Sequence, residues 1–441
     1  MASKLANISQ NAELRKRLGF TIMVILIYRM GVFMPIPGIN RAAMSQMVGG
    51  EGNGFLGLLS MFTGGAFEMA SIFALGIMPY ISASIIFQLM GVVVPAVERM
   101  QKEGEAGRKK ITQYTRYATV ILSLIQGFGI SQFLVNQHNA NPELGLLTHT
   151  DITFTALTML TVTAGTVLVM WLAEQITERG VGNGMSLIIT ISILSSFPSA
   201  VMLTLQQFRS GTMTTFTLLF IVIIALGTTA FIAYFESAQR RIPLQYAKGM
   251  VGRKMYGSQQ HFLPLKVNMA GVIPPIFASS VLILPSTVAG YFESSISLAI
   301  QSSLVPGDWR YNLIYTILII FFCFFYTAVQ VNPVDLADNL KKQDAFVPGI
   351  RPGKKTAEYI DTVMSRLTFA GAIYIAAVCL MPFILSSEMG LSFSLGGMSL
   401  LIVVSVGLDT VTQIENHMIT RHYDDFSATG TSGTSKIKGR E

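Results

Sequence analysis

The amino-acid sequence predicts an all-α polytopic membrane protein with ten transmembrane helices. Three observations predict this fold class: the composition, ten long apolar runs, and a strong bias of basic residues to one side of the predicted membrane. The chain has 441 residues, of which 51% are hydrophobic and only 12% are charged. Soluble proteins typically carry about 25% charged residues, so the composition argues against a soluble enzyme with a single anchor.

Ten apolar runs along the chain are each about long enough to cross ~30 Å of hydrocarbon as a helix. They fall at residues 18–35, 69–95, 117–136, 153–173, 184–206, 215–235, 267–289, 312–330, 367–385 and 396–413. An even number of crossings places both termini on the same side of the membrane.

The basic residues are distributed very unevenly across this predicted topology. The side that holds both termini carries 27 of the 31 Lys and Arg residues. The remaining four are Arg29, Arg41, Arg209 and Arg310. Because loops rich in Lys and Arg are retained in the cytoplasm, we predict that both termini are cytoplasmic.

A glycine-rich stretch between the first two runs interrupts the helical pattern. Residues 41–68 contain seven glycines, and the apolar segment 55–62 within them is too short to span a bilayer. A short apolar segment of this kind is typical of a re-entrant or interfacial element. An external loop with a hydrophobic patch explains the pattern equally well, so both interpretations stay open on the residues alone.

Prolines interrupt the second and the seventh apolar runs. Pro79 lies in the second run, and Pro274 and Pro275 lie in the seventh. If the chain consists of two halves of five helices, these runs occupy matching positions. Interrupted helices at matching positions of two repeats indicate a central pathway. Proline is also common in ordinary membrane helices, so the pattern favours a pathway without requiring one.

Two long cytoplasmic loops, at residues 236–266 and 331–366, combine basic and aromatic residues. The first loop contains six basic residues and a single acid, Glu236. Such surfaces suit a large anionic partner, for example ribosomal RNA or an acidic protein. The alternative interpretation is a solvated loop that is held near anionic lipid.

The pattern offers no residues that would carry enzyme chemistry. No cluster of His, Cys, Asp or Glu has metal-ligand spacing, and no phosphate-binding glycine loop of a nucleotide motor occurs. We therefore predict no catalytic, cofactor-binding or metal site. The apolar runs contain almost no charge besides Arg29 and Asp409, for which we favour structural roles.

The shortage of buried charge separates two classes of membrane protein. Proteins that move ions or protons usually bury ionisable residues in the membrane. Here the second and seventh runs carry neutral polar side chains, among them Ser84, Gln88, Asn268 and Ser280. This composition suits a chemically varied passenger better than one defined ion, and a small-solute secondary transporter is the alternative.

Several long segments occur in a specific order along the chain. They include GIMPYISASII at 76–86, KEGEAGRKKITQYTRY at 102–117, EQITERGVGNG at 174–184, LPLKVNMAGVIPPIFASS at 263–280 and ADNLKKQDAFVPGIRPG at 337–353. Together these segments resemble the SecY/Sec61-alpha family, the central channel subunits of protein translocases. The resemblance covers roughly residues 12–415.

The resemblance implies ten helices in two pseudo-symmetric five-helix halves around a central hourglass pore. The halves correspond to residues 1–206 and 207–413, followed by a cytoplasmic tail at 414–441. A lateral gate is implied between the second and seventh helices. Its expected polar residues are Ser84, Gln88, Asn268 and Ser280.

The resemblance also implies a pore constriction and a plug. The constriction is a collar of six apolar side chains, which fall on Ile81, Ile85, Met185, Ile189, Ile276 and Ile402. Met185 departs from the usual isoleucine but is flexible and similar in volume. A tight apolar collar excludes water and ions. The plug is a short helix that matches residues 55–66, with Phe55, Leu58, Leu59, Met61, Phe62, Gly64 and Gly65 as its expected residues.

Docking of a motor or of the ribosome is implied for the two long cytoplasmic loops, at Arg240, Arg241, Lys248, Arg253, Lys254, Lys341, Lys342 and Arg351. The implied partners are the small subunits SecE and SecG, the motor ATPase SecA, the ribosome, polypeptides with signal sequences, and anionic lipid. We therefore expect a protein-conducting channel, without enzyme activity of its own, in the bacterial plasma (inner) membrane. It would pass unfolded secretory polypeptides across and release hydrophobic segments laterally.

Overall fold

The computed structural model describes residues 12–48, 60, 63–148, 150–211, 213–246, 250–251, 254–255, 261–289, 308–389 and 397–431. Most of these residues are helical, and each of the ten predicted apolar runs overlaps a described helix. Seven predicted site residues lie outside the described residues, namely Phe55, Leu58, Leu59, Met61 and Phe62 of the expected plug and Lys248 and Arg253 of the expected docking surface.

Seven helices are described in the N-terminal part of the chain. They are α1 (Ala12–Val32), α2 (Arg41–Val48), α3 (Met78–Val93), α4 (Pro95–Lys102), α5 (Glu105–Ala140), α6 (Ile152–Arg179) and α7 (Gly184–Arg209). A short 3-10 helix, Pro142–Leu144, follows α5. Because α7 ends at Arg209, it extends beyond residue 206, where the resemblance places the boundary between the two halves.

Six helices and five short strands are described in the C-terminal part. The helices are α8 (Thr215–Ser237), α9 (Ile273–Ala289), α10 (Trp309–Gln330), α11 (Pro333–Lys342), α12 (Lys354–Met389) and α13 (Gly397–Thr431). The strands are β1 (Gln239–Tyr246), β2 (Met250–Val251), β3 (Lys254–Met255), β4 (His261–Lys266) and β5 (Ala345–Phe346). Helix α13 runs past residue 414, so the expected tail begins as a helical extension.

Within the described ranges, seven helices are long and apolar enough to cross a membrane, and they are α5, α6, α7, α8, α10, α12 and α13. The other three predicted spans have identifiable peculiarities. Helix α1 carries several basic residues, α9 has a short apolar part at Ile273–Leu282, and α3 meets α4 at a bend of 99°. Length and composition alone thus support seven spans, or eight if α3 and α4 form one, and the ten-helix prediction is compatible with this architecture.

Helices α5 and α12 are too long to lie entirely within a bilayer. Each contains 36 residues, which corresponds to about 54 Å of helix, whereas the hydrocarbon core is ~30 Å thick. The N-terminal turns of both helices carry basic residues, Arg108 and Lys109 in α5 and Lys354 and Lys355 in α12. We therefore expect these ends to project from the membrane on its basic side.

A small antiparallel sheet with the strand order β4–β1–β5 joins the two long basic loops. Gln239 of β1 pairs with Lys266 of β4, and Gln245 of β1 pairs with Phe346 of β5. The sheet packs on its own apolar cluster, which also contains the fully buried Ile360 of α12. The described parts of the segments 236–266 and 331–366 therefore belong to one folded unit.

The largest apolar cluster lies between the membrane helices. It contains buried side chains from α1, α3, α6, α7, α8, α9, α10, α12 and α13. Many other apolar side chains of these helices are exposed, for example Trp171, Phe216 and Leu226. Such exposure is expected of helices that face lipid, because lipid tails are as apolar as these side chains.

Candidate functional site

Four helices bring the six predicted collar residues into the largest apolar cluster. They are Ile81 and Ile85 on α3, Met185 and Ile189 on α7, Ile276 on α9 and Ile402 on α13. The five isoleucines are at most 7% exposed, and Met185 is half-buried against the same cluster. These side chains offer no hydrogen bond to water or to an ion, so the arrangement is chemically suited to a seal.

The start of α7 is fixed by two neighbouring residues. The side chain of Asn183 accepts a hydrogen bond from the backbone amide of Met185 at 3.1 Å, which is the bond of a helix N-cap. Gly184 packs so tightly on α6 that a Cβ there would come within 1.9 Å of the Ala173 carbonyl oxygen. Met185 and Ile189, four residues apart, then share one face of α7.

Helices α3 and α9, which correspond to the predicted gate helices, pack against each other. Pro79 lies in the first turn of α3, and Pro274 and Pro275 lie in the first turn of α9. A proline in the first turn removes no helical hydrogen bond and causes no kink. Pro79, Pro274 and Pro275 thus interrupt the apolar runs by marking where helices begin.

The predicted polar residues of the gate do not share one hydrogen-bonded group. Gln88 Nε2 donates to Ser84 Oγ at 3.1 Å within α3. Ser280 Oγ donates to the Ile276 carbonyl oxygen at 2.8 Å within α9. Asn268 precedes α9 and bonds elsewhere. None of these three bonds links α3 to α9, so the contact between the gate helices does not depend on them.

A polar cluster beside the start of α9 was not predicted from the sequence. The buried Asn268 donates to Glu236 Oε1 at 2.7 Å and exchanges hydrogen bonds with the backbone of Gly271. Lys266 Nζ and Asp409 Oδ1 form an exposed ion pair at 3.1 Å. These contacts connect the ends of α8 and β4 with the residues before α9 and with α13. One feature of the sequence could have indicated this cluster: Glu236 and Asp409 are among the few acidic residues at the ends of apolar runs.

The segment 63–77 runs in successive turns along α1 and α7. Gly64 and Gly65 have φ angles of +64° and +80°, a left-handed conformation that favours glycine. Arg29 of α1 donates to the Gly64 carbonyl oxygen at 3.3 Å and to Ser195 Oγ of α7 at 2.9 Å. The predicted structural role of Arg29 agrees with these contacts, which join α1, the glycine turn and α7.

Five basic residues of the expected docking surface are exposed. Arg240 and Arg241 lie on β1, Lys341 and Lys342 end α11, and Arg351 precedes α12. Lys254 lies on β3. Because β5 pairs with β1, the two loops that carry these residues are held together, which concentrates positive charge on one unit.

The part of the chain that the structure describes contains no group of three or more His, Cys, Asp or Glu side chains that could hold a metal ion. Cys323 and Cys379 are buried free thiols. Both belong to the largest apolar cluster, where they pack as small apolar side chains.

Comparison with known proteins places this geometry in a family. The family model described as SecY matches residues 71–411, a range that includes α3, α9 and all six collar positions. The chain belongs to the SecY family.

Two SecY relatives match nearly the whole chain. The protein translocase subunit SecY of Escherichia coli (strain K12) is 46% identical over 420 residues, which cover 93% of each chain. The protein translocase subunit SecY of Vibrio cholerae is 47% identical over 424 residues, which cover 94% of each chain.

Solved channel structures share the SecY fold. A structure described as a protein conducting channel has a TM-score of 0.64 at 15% identity and covers 92% of this chain and 93% of its own. A structure in which the plug domain of SecY is described as stabilising the closed state has a TM-score of 0.63 at 15% identity, with the same coverage. Sec61 in a canine ribosome-channel complex gives 0.61 at 15% identity, again with that coverage. The predicted fold class, an all-α polytopic channel fold, is confirmed.

Proposed function

We propose that this protein is the channel subunit of a protein translocase, with no enzyme activity of its own. It passes unfolded secretory polypeptides across the plasma membrane and releases hydrophobic segments sideways into the lipid. The observation that carries the proposal is the 46% identity, over 93% of both chains, to the protein translocase subunit SecY of E. coli. The buried apolar collar supports it, because the collar has no groups that would coordinate a small solute or ion.

The collar and the gate perform different steps of this function. At rest, Ile81, Ile85, Met185, Ile189, Ile276 and Ile402 exclude water and ions. A signal sequence or hydrophobic segment inserts between α3 and α9, which separates the two halves and widens the collar. The direct packing of α3 on α9, without the predicted polar residues bonding across it, supports a contact that opens at low cost. The halves comprise residues 1–206 and 207–413.

We assign the plug, which closes the pore at rest, to the segment 55–66. Within its described end, Gly64 packs against α7. The description of the related SecY structure, in which the plug stabilises the closed state, supports this assignment.

Partners bind on the cytoplasmic face and at the periphery of the helices. The exposed arginines and lysines on β1, α11 and before α12 suit ribosomal RNA or the acidic surface of SecA. The ribosome-bound canine relative supports docking of a ribosome. SecE and SecG are the expected small subunits, and anionic lipid neutralises the remaining basic residues. With 27 of 31 basic residues on one side, both termini lie in the cytoplasm of a bacterium, and the chain resides in its plasma (inner) membrane.

The proposal is tested in proteoliposomes that contain this protein with SecE and SecG, together with SecA, ATP and an unfolded secretory precursor. The readout is the fraction of precursor that becomes protected from added protease. We expect protection that depends on ATP and on the membrane-embedded complex.

Absence of protection, with the small subunits bound and SecA hydrolysing ATP, would contradict the channel proposal. Solute-uptake assays on the same proteoliposomes would then test the alternative, a small-solute secondary transporter. Substituting Arg351 together with the basic residues of β1 provides a second test, because unchanged partner binding and export would contradict the assigned docking surface.

A further inference from the structure

Arg29 is a cation within a predicted membrane helix, and its partners are neutral. Its Nη1 atom donates to the Gly64 carbonyl oxygen at 3.3 Å and to Ser195 Oγ at 2.9 Å. Ser195 Oγ donates to the Ser192 carbonyl oxygen at 2.7 Å and also lies within hydrogen-bond distance, 3.4 Å, of the Gly64 carbonyl oxygen. Its lone pairs accept from the guanidinium. One nitrogen of α1 therefore holds the glycine turn and α7 at the same time.

The rest of the contact between α1 and α7 does not depend on Arg29. The Tyr28 hydroxyl and Ser192 Oγ are hydrogen-bonded at 2.7 Å in a buried position. The Tyr28 ring also stacks on Phe73, with ring centroids 5.6 Å apart. Because these contacts anchor the two helices and the later part of the turn segment, removal of the guanidinium would leave the Gly64 carbonyl oxygen with only the longer, neutral contact to Ser195 Oγ, without unpacking α1.

Gly64 is seated on α7 with no space for a side chain. A Cβ at this position would lie 2.8 Å from Ser192 Cα and 2.8 Å from Ser195 Oγ. The φ angle of +64° is a further strain for any residue with a Cβ. The glycine therefore allows the approach to α7, and Arg29 supplies the charge-assisted hydrogen bond that holds it there.

We infer that Arg29 is a positioning residue that fastens the Gly64–Gly65 turn to α7 and thereby holds the resting channel shut. This inference rests on the proposed function, in which the turn ends the plug segment. The bond exists only while the turn is seated, so it favours the closed state over any state in which the turn has moved. In an opened pore, water accepts the hydrogen bond that the guanidinium had donated to the Gly64 carbonyl oxygen. The channel can therefore still open.

The experiment compares the resting ion conductance of the SecE- and SecG-containing complex in planar bilayers, without precursor, for the wild type and four variants. Arg29→Gln removes the charge, and Arg29→Lys keeps the charge with a different geometry. Gly64→Ala leaves the arginine in place and pushes the turn from α7. Ser195→Ala removes one acceptor of the guanidinium together with the 3.4 Å contact to the Gly64 carbonyl oxygen. Matched controls are Arg209→Gln at the exposed end of α7 and Ser196→Ala, whose hydroxyl bonds within α7 to the Ser192 carbonyl oxygen.

We expect Arg29→Gln to raise the resting conductance about tenfold, the effect of losing one charge-assisted hydrogen bond on a two-state equilibrium. Gly64→Ala is expected to change it in the same direction, Ser195→Ala to a smaller extent, and Arg29→Lys to restore most of the closure. Both controls should match the wild type. Export of a precursor with a defective signal sequence should rise in the same order, a gain that a merely structural defect does not produce.

Wild-type conductance in both Arg29→Gln and Gly64→Ala would overturn the inference, as would uniform loss of export without increased conductance. If either variant fails to assemble, the other and Ser195→Ala decide the outcome. Wild-type export of a normal precursor is measured in parallel. Its absence would refute the proposed function itself, whereas normal wild-type export with unchanged variant conductance refutes only the role of Arg29.

Discussion

Asn268 donates a hydrogen bond of 2.7 Å to the carboxylate of Glu236, and both side chains are buried. Asn268 lies in the segment between β4 and α9, which begins at Ile273 and is one of the two proposed gate helices, whereas Glu236 lies in the last turn of α8. The strands β1 and β4 run between them along the chain and form the sheet that carries Arg240 and Arg241. The bond therefore joins the end of α8 to the residues before α9, at the base of the sheet that we propose as the docking surface.

We predict that Asn268→Ala destabilises the purified complex by about 1–3 kcal/mol, because the substitution leaves a buried acceptor of Glu236 without this donor. The measurement is the thermal unfolding midpoint in detergent. Lys266→Ala is the matched control, since its ion pair with Asp409 is half exposed on both sides and should contribute at most about 1 kcal/mol. Equal effects of the two substitutions would contradict the assigned role of the buried bond.

The close approach of α6 and α7 gives a second prediction. Gly184→Ala would place a Cβ within 1.9 Å of the Ala173 carbonyl oxygen, so the start of α7 must shift and stability should fall by about 1–3 kcal/mol. Gly227→Ala in α8 is the control, because no atom lies within 4 Å of its added Cβ. There the replacement should be neutral or stabilising by up to about 1 kcal/mol.

The thermal midpoint and the yield of assembled complex distinguish the two glycines. A Gly184→Ala protein as stable as Gly227→Ala would show that the two helices are less tightly packed than described. Because Gly184 also precedes Met185, we expect the alanine to displace this collar residue and to raise the resting ion conductance as well.

The sequence predicted those features that depend on the membrane itself. Hydropathy located a helix at each of the ten runs, and charge identified the basic unit that contains Arg240 and Arg241. The Asn268–Glu236 bond was missed because its partners are 32 residues apart and only the packing of α8, β1 and β4 brings them together. Pro79 showed where a run is interrupted, but a proline in a first turn and one in a helix interior are alike in sequence.

The collar residues could not be identified from the apolar pattern alone. The assignment of Ile189 to the collar depends on the resemblance to the family, because apolar pairs four residues apart occur throughout membrane helices. The structure adds that the side chain is 4% exposed, whereas Leu194 on the same helix is 49% exposed. This difference separates an interior position from a peripheral one and supplies a matched pair for experiment.

We predict that Ile189→Asn raises the resting ion conductance of the complex in planar bilayers. An amide in the collar offers hydrogen bonds to water, so the constriction becomes hydrated and the cost of ion passage falls. Leu194→Asn introduces the same side chain outside the cluster and should leave conductance near the wild-type value. If both variants conduct alike, Ile189 does not belong to the seal.

The exposed arginines of β1 give the last prediction. We expect the double substitution Arg240→Ser and Arg241→Ser to weaken binding of ribosomes to the detergent-solubilised complex. Each phosphate contact that is lost should also reduce the slope of log affinity against log salt by about 0.7–0.9. The measurement is binding at several salt concentrations, with export of a secretory precursor recorded in parallel.

Arg209→Ser is the control for this experiment, because Arg209 is equally exposed but lies at the opposite end of the membrane helices from the docking sheet. General loss of positive charge would weaken both proteins similarly, whereas docking through β1 affects only the double variant. The salt slope adds a criterion that misfolding does not imitate, since a partly unfolded fraction lowers the apparent number of sites without changing the slope of the remainder. An unchanged slope in the double variant would therefore remove Arg240 and Arg241 from the contact with RNA, even if binding were weaker.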